Sequence, residues 1–234
     1  IFYNDGAYPS GAASADVIIT GAATNNYFGS ALKIGDLNAD GKADLVVGTE
    51  ATSSVYIFYN DGSYTTTAAT ADVIIAGSFI GMGLAISDMN ADGKTDLVSN
   101  SFSYSSNGRA SIFYADGTNN FGSVACSGST PTTCVSDNAD IIIDGTGGKR
   151  IESAMVGDMN ADGRQDLLLG GTNNSEGTVY IFYNDGVSFG TVACTTACSA
   201  ANADVLIVGE NDNRATGCGE LCALLWDALF IFLE

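Results

Sequence analysis

Asp36-Leu37-Asn38-Ala39-Asp40-Gly41-Lys42-Ala43-Asp44 decides how this chain reads, because the stretch returns twice. The second copy is Asp88-Met89-Asn90-Ala91-Asp92-Gly93-Lys94-Thr95-Asp96, and the third is Asp158-Met159-Asn160-Ala161-Asp162-Gly163-Arg164-Gln165-Asp166. All three follow D-x-N-x-D-G-x-x-D. Side-chain oxygens at the first, third, fifth and ninth positions are expected to converge on one point. The glycine at the sixth allows the sharp turn, and the carbonyls of Lys42, Lys94 and Arg164 at the seventh add a ligand. With no Cys or His at ligand spacing, hard oxygens on a flexible loop point to Ca2+, one ion per loop, over zinc, copper or magnesium.

Asp, Asn and Gly also make ordinary turns, and the chain carries its own contrast. Asn60-Asp61-Gly62 and Asn184-Asp185-Gly186 have the turn composition without the spacing. An EF-hand would need a Glu at the twelfth position and a helix on each side. Here the twelfth position is Val47, Ser99 or Leu169, and the flanks are short apolar runs such as 31–34 and 45–47. The loop is therefore expected to join two β-strands.

Two further phrases recur in fixed order around the loop. Ile1-Phe-Tyr-Asn-Asp-Gly6 returns at Ile57, at Ile112 (with Ala115 in place of Asn) and at Ile181, and Ala15-Asp-Val-Ile-Ile-Thr-Gly21 returns at Ala71, Ala139 and Ala203. Each unit thus reads as an apolar run, the acidic loop, an apolar run, a variable loop, an aromatic-rich run, an N-D-G turn and an A-D-V-I-I run. Four strands per unit is the pattern of a propeller blade, so the expected fold is all-β, a β-propeller with the calcium loop between the first two strands of each blade.

The residues Phe28-Gly29, then Gly35 to Gly48 around the first loop, then Val55-Tyr56 resemble the FG-GAP repeat of integrin α-subunit β-propellers and their microbial relatives. Met82-Gly83 and Ile151-Glu152 stand near the Phe-Gly place, and Gly48-Thr49-Glu50 replaces Gly-Ala-Pro. The resemblance covers residues 1–217 and implies three complete blades, at about 28–77, 82–145 and 151–209, with a partial blade at 1–21. Residues 218–234, an apolar segment from Cys218 to Glu234, stand where a fourth loop would come but retain only Asp227 of it. That segment is too short to span a bilayer comfortably. The chain opens inside a repeat with no signal peptide at Ile1, so Ile1 is not expected to be the natural start.

Charge and cysteine usage narrow the function. With 8 basic against 27 acidic residues the formal charge is −19, which opposes capture of nucleic acid or an anionic membrane. Cys126 with Cys134 and Cys194 with Cys198 are close pairs in variable loops, expected as disulfides of an oxidising, extracellular or cell-surface compartment; Cys218 and Cys222 form a third candidate pair. Those variable loops, between the N-D-G turn and the A-D-V-I-I run, span 118–138 and 187–202 and share Phe-Gly-x-Val-Ala-Cys. Variation in length at one fixed place marks an exposed edge where binding specificity evolves, or decoration pinned by the disulfides. Asn173-Asn174-Ser175 fits an N-glycosylation acceptor.

The absence of histidine excludes Ser-His-Asp, Cys-His and His-metal catalysis. Gly145-Thr-Gly-Gly-Lys149 is not a phosphate loop, because the position that requires glycine is Ile143. Asp16, Asp72, Asp140 and Asp204 recur in every unit and read as strand-end tethers rather than catalytic acids. The expectation is a non-enzymatic calcium-binding module for recognition or adhesion, with a protein or carbohydrate ligand on a cell surface. The alternative is a filament or surface-layer protein whose sheet edges pair with copies of itself.

Overall fold

The recurring apolar runs are rich in Val, Ile, Tyr and Phe, which suit a pleated surface covered on both sides. In the computed structural model, which describes residues 1–3, 6, 11–24, 26–50, 53–78, 80–102, 107–128, 131–172, 177–191, 194 and 196–209, they form three sheets. The first repeat supplies β1 (Phe28–Gly35), β2 (Asp44–Thr49), β3 (Ser54–Phe58) and β4 (Val73–Ala76). The second supplies β5 (Gly83–Ser87), β6 (Asp96–Ser101), β7 (Arg109–Phe113) and β9 (Ile141–Asp144), with β8 (Thr132–Val135) inside its long insert. The third supplies β10 (Arg150–Gly157), β11 (Asp166–Thr172), β12 (Gly177–Phe182) and β14 (Val205–Val208), with β13 (Ala197–Ser199) inside its insert. Within each repeat the four strands follow one another antiparallel in chain order.

Side chains alternate between two different cores. Val46, Val55, Ile57, Val73 and Ile75 face the second repeat and pack with Leu84, Leu97, Phe113 and Phe121. Their sequence neighbours Val47, Tyr56 and Phe58 turn the other way, where Phe28 lies edge-on to Tyr56 at 5.5 Å. The second repeat splits likewise: Leu97 joins the first seam, while Val98, Ala110, Ile112 and Ile143 join Leu167, Leu169, Tyr180 and Phe182 of the third repeat in the second. A fully buried Ile, Leu or Phe contributes about 2 kcal/mol of transfer free energy. The seams between repeats therefore carry much of the stabilisation, and an apolar run without polar alternation is what a sheet between two seams requires.

The strand-end aspartates do the same thing four times. Asp16, Asp72, Asp140 and Asp204 accept the backbone N–H of Tyr3, Tyr59, Tyr114 and Tyr183 at 2.7 to 2.8 Å; in the three repeats this closes the end of the third strand onto the start of the fourth. The Phe-Gly place is a bulge in β1, where the register shifts between Phe28 and Ala31 and Gly29 holds φ at 94°. A like shift falls between Ile151 and Ser153 of β10.

Two sheets have five strands, not the four that the repeat pattern predicts. β8, from the insert of the second repeat, runs parallel to β4 of the first, and β13, from the insert of the third, runs parallel to β9 of the second. A parallel bridge between Thr20 and Thr67 places the first repeat's insert in the same relation to the segment before it. The inserts are therefore neither free loops nor pure decoration. Each lays a short strand on the outer edge of the preceding unit, and Phe121 and Phe189 at their starts are fully buried.

Candidate metal centre

The acidic loop links the first two strands of each repeat and ends on the first residue of the second: Asp44, Asp96 and Asp166 open β2, β6 and β11. Its internal hydrogen bonds recur in all copies. Asp36 Oδ1 accepts from Asp40 N at 3.1 Å and Oδ2 from Gly41 N at 2.8 Å; Asn38 Oδ1 accepts from Asp40 N at 3.0 Å, and Asp40 Oδ1 from Lys42 N at 2.9 Å. Asp88, Asn90 and Asp92 accept from Asp92, Gly93 and Lys94 at 2.8 to 3.1 Å. Asp158, Asn160 and Asp162 accept from Asp162, Gly163 and Arg164 over the same range, 2.8 to 3.1 Å. The fourth position is left-handed although it is alanine, with φ 61° at Ala39, 59° at Ala91 and 60° at Ala161. Such a backbone costs about 1 kcal/mol for a residue with a Cβ, and the ring of side-chain to amide bonds holds it in place.

The ninth-position aspartates sit at the base of the loops, wholly buried, and each holds two amides. Asp44 accepts from Leu37 N and Asn60 N, Asp96 from Met89 N and Ala115 N, and Asp166 from Met159 N and Asn184 N, at 2.8 to 2.9 Å. They therefore bind the loop to the turn after the third strand. The first, third, fifth and ninth side chains do not meet at one point: among the described residues no three acidic side chains close to metal-binding distance. The donor set still suits a hard cation. It is all oxygen, Asp36 and Asn38 already aim at one amide, and a carboxylate oxygen that accepts one N–H keeps a further lone pair.

Electrostatics differs along the loop. The N–H of Lys42 holds the Asp40 carboxyl below its usual range, and the Lys42 ammonium adds to this from 3.2 Å. At Asp92 partial burial opposes ionisation, but the side chain and N–H of Lys94 prevail and the pKa is lowered. Arg164 Nη1 lies 3.5 Å from Asp162 in the third copy. The seventh residue thus offers a cationic partner to the fifth as well as a carbonyl, a pairing the spacing did not reveal. Burial works the other way at the base: it raises Asp44 against the amides of Asn60 and Leu37, and pushes Asp96 up to about 7 against those of Ala115 and Met89.

A model of the FG-GAP-like repeat matches residues 36–99 and a model of the FG-GAP repeat matches residues 151–182, so that both fall on loops and strands just described. These two stretches are FG-GAP-like repeats. It is 33% identical to integrin alpha-7 of Rattus norvegicus over 94 residues, 35% of this chain and 8% of that protein. It is 28% identical to integrin alpha-7 of Homo sapiens over 169 residues, 66% of this chain and 13% of that protein. The chain thus spans a small part of the relatives it matches.

In these repeats the second loop position does more than fill space. Leu37 and Met89 are buried in the seams with the following repeat, and Met159 packs against Leu168, Val179 and Ile181. An apolar residue kept at one place in an otherwise polar loop was the signal available in the sequence. The structure joins Cys126 to Cys134 and Cys194 to Cys198, with Cα atoms 4.5 and 5.5 Å apart. Cys134 and Cys198 lie in β8 and β13, so each bridge anchors an added strand to its own insert. Asn173, Cys218, Cys222 and the apolar segment 218–234 lie outside the described residues. No helix among the described residues is long and apolar enough to cross a membrane.

Proposed function

We propose that each FG-GAP loop binds one calcium ion and that the three repeats are blades of an extracellular β-propeller that serves recognition or adhesion. The observation that carries this reading is one hydrogen-bonded loop built three times at the same place in the repeat, each with four oxygen side chains and the seventh-position carbonyl. Asp36, Asn38, Asp40 and Asp44, the carbonyl of Lys42, and their counterparts in the other copies would hold the ion. When bound, calcium would neutralise three carboxylates per loop and stiffen the hairpin of the first two strands. Two insert disulfides support an oxidising compartment, and likeness to part of integrin alpha-7 supports a protein or carbohydrate ligand. The reading is one of binding, not catalysis.

Calorimetry on calcium-free protein tests it. Three ions per chain and a higher melting temperature at millimolar calcium are expected. Asp40→Ala should remove one ion, whereas Asp61→Ala, in an N-D-G turn, should leave all three. Equal effects of the two substitutions would mean that loop spacing does not define the site.

A second reading, assembly with copies of itself, draws on the two ends of the stack. Leu32 and Ile34 of β1 are 58% and 70% exposed, and Leu206 and Ile207 of β14 are 57% and 46% exposed. Exposed apolar residues on strands invite another sheet or strand. Concentration-dependent sedimentation would support this reading, and a monomer at high concentration would remove it.

A further inference from the structure

Asn184 follows β12, outside the D-x-N-x-D-G-x-x-D loops, yet it touches two of them. Its N–H donates to Asp166 Oδ1 at 2.9 Å, and its Nδ2 donates to the carbonyl of Gln165 at 3.1 Å, both in the third loop. The same Nδ2 donates at 2.8 Å to the carbonyl of Met89 in the second loop, 95 residues away. Gly186 N donates to its Oδ1 at 3.0 Å, which fixes the amide orientation, since a flipped group would set an oxygen against two carbonyls. The residue is 4% exposed. Met89 is itself fastened to its own loop, its N–H on Asp96 Oδ2 at 2.8 Å. A continuous chain of bonds therefore runs from Asp96 through Met89 and Asn184 to Asp166.

The chain contains its own control. At the corresponding place in the second repeat stands Ala115, whose N–H keeps the bond to Asp96 Oδ1 at 2.8 Å, but whose methyl has nothing to donate. It is buried in the same seam as Leu37, the residue that corresponds to Met89. The link is therefore made between the second and third loops and missing between the first and second.

We infer that Asn184 is a positioning residue that couples the loops 88–96 and 158–166, so that the state of one is felt at the other, while Ala115 leaves the loop 36–44 independent. The calcium part of this inference rests on the function proposed above; the mechanical link does not. A buried hydrogen bond of ordinary net strength corresponds to about fivefold in an equilibrium constant, and coupling of about three- to fivefold is expected.

Amide hydrogen exchange on the calcium-free chain and calcium titration test it together. Asp162→Ala should speed exchange within 88–96 and weaken calcium at the second loop when Asn184 is present, and should do neither in an Asn184→Ala background. Ala115→Asn should create the same dependence between 36–44 and 88–96, read through Asp92→Ala. A residue that merely stabilises the seam would lower both loops regardless of the state of either, so equal effects of Asp162→Ala in the two backgrounds overturn the inference. If the wild-type chain binds no calcium but the exchange pattern follows Asn184, the link stands and the calcium reading falls. If calcium binds and the exchange pattern ignores Asn184, the reverse holds.

Discussion

Asp96 is buried with both oxygens on backbone amides, and its pKa of about 7 arises first from burial, opposed by the amides of Ala115 and Met89 and assisted by the charges of Asp92 and Asp88. A folded-state pKa above the unfolded one means that the stabilising contribution is complete below about pH 4 and is lost as the pH rises through about 7. Calcium-free protein should therefore melt at progressively lower temperature between those limits, a trend that Asp96→Asn should flatten in a series of melting curves and that a cation in the loop should oppose. Asp140 is an aspartate in a different role. Replacing it by Ala leaves the N–H of Tyr114, now held at 2.7 Å, without its acceptor at a part-buried site, and denaturant unfolding should show a loss of about 1 to 3 kcal/mol. Recurrence in every unit read Asp16, Asp72, Asp140 and Asp204 as strand-end tethers; it could not show which amide each takes, since that partner lies 13 to 26 residues away.

The elements that were legible in advance are those whose partners lie close in sequence. The acidic loops, the short strands on either side and the antiparallel order within a repeat all depend on contacts inside one unit, and their signals are local spacing and apolar runs. β8 and β13 were not legible. Thr132-Thr-Cys-Val135 and Ala197-Cys-Ser199 have the composition of a loop, and each pairs in parallel with a strand of the preceding repeat, Val73–Ala76 or Ile141–Asp144. Position two of the acidic loop escaped notice for the same reason, because the burial of Leu37 and Met89 is supplied by the next repeat. For the insert we expect that Cys194→Ser with Cys198→Ser costs about 2 kcal/mol by releasing a short closed loop. Hydrogen exchange should then rise at Ile142, whose N–H is held by the Thr196 carbonyl at 2.7 Å, while the corresponding amides of the first sheet stay protected.

Across the whole molecule, secondary structure and charge answer to different forces. Strands are held by seams of buried Val, Ile, Leu and Phe, whereas each loop carries three carboxylates on a chain of formal charge −19. On the calcium reading proposed above, withdrawing the ion should leave the far-ultraviolet dichroism of the sheets in place while lowering the melting temperature, the drop shrinking at high salt as the carboxylates are screened. Complete loss of the strand signal on chelation would mean that the seams cannot form without the ion. The strands laid from one repeat onto the last also give the molecule a direction in time. A ribosome delivers Ala76 long before Thr132, and Asp144 long before Ala197, so the first and second repeats leave synthesis with an open edge that the insert of the next repeat closes. Shortening the chain is correspondingly unequal at its two ends: a cut that removes the third repeat also strips β13 from the sheet of the second, whereas a cut that removes the first takes no strand from the sheet of the second.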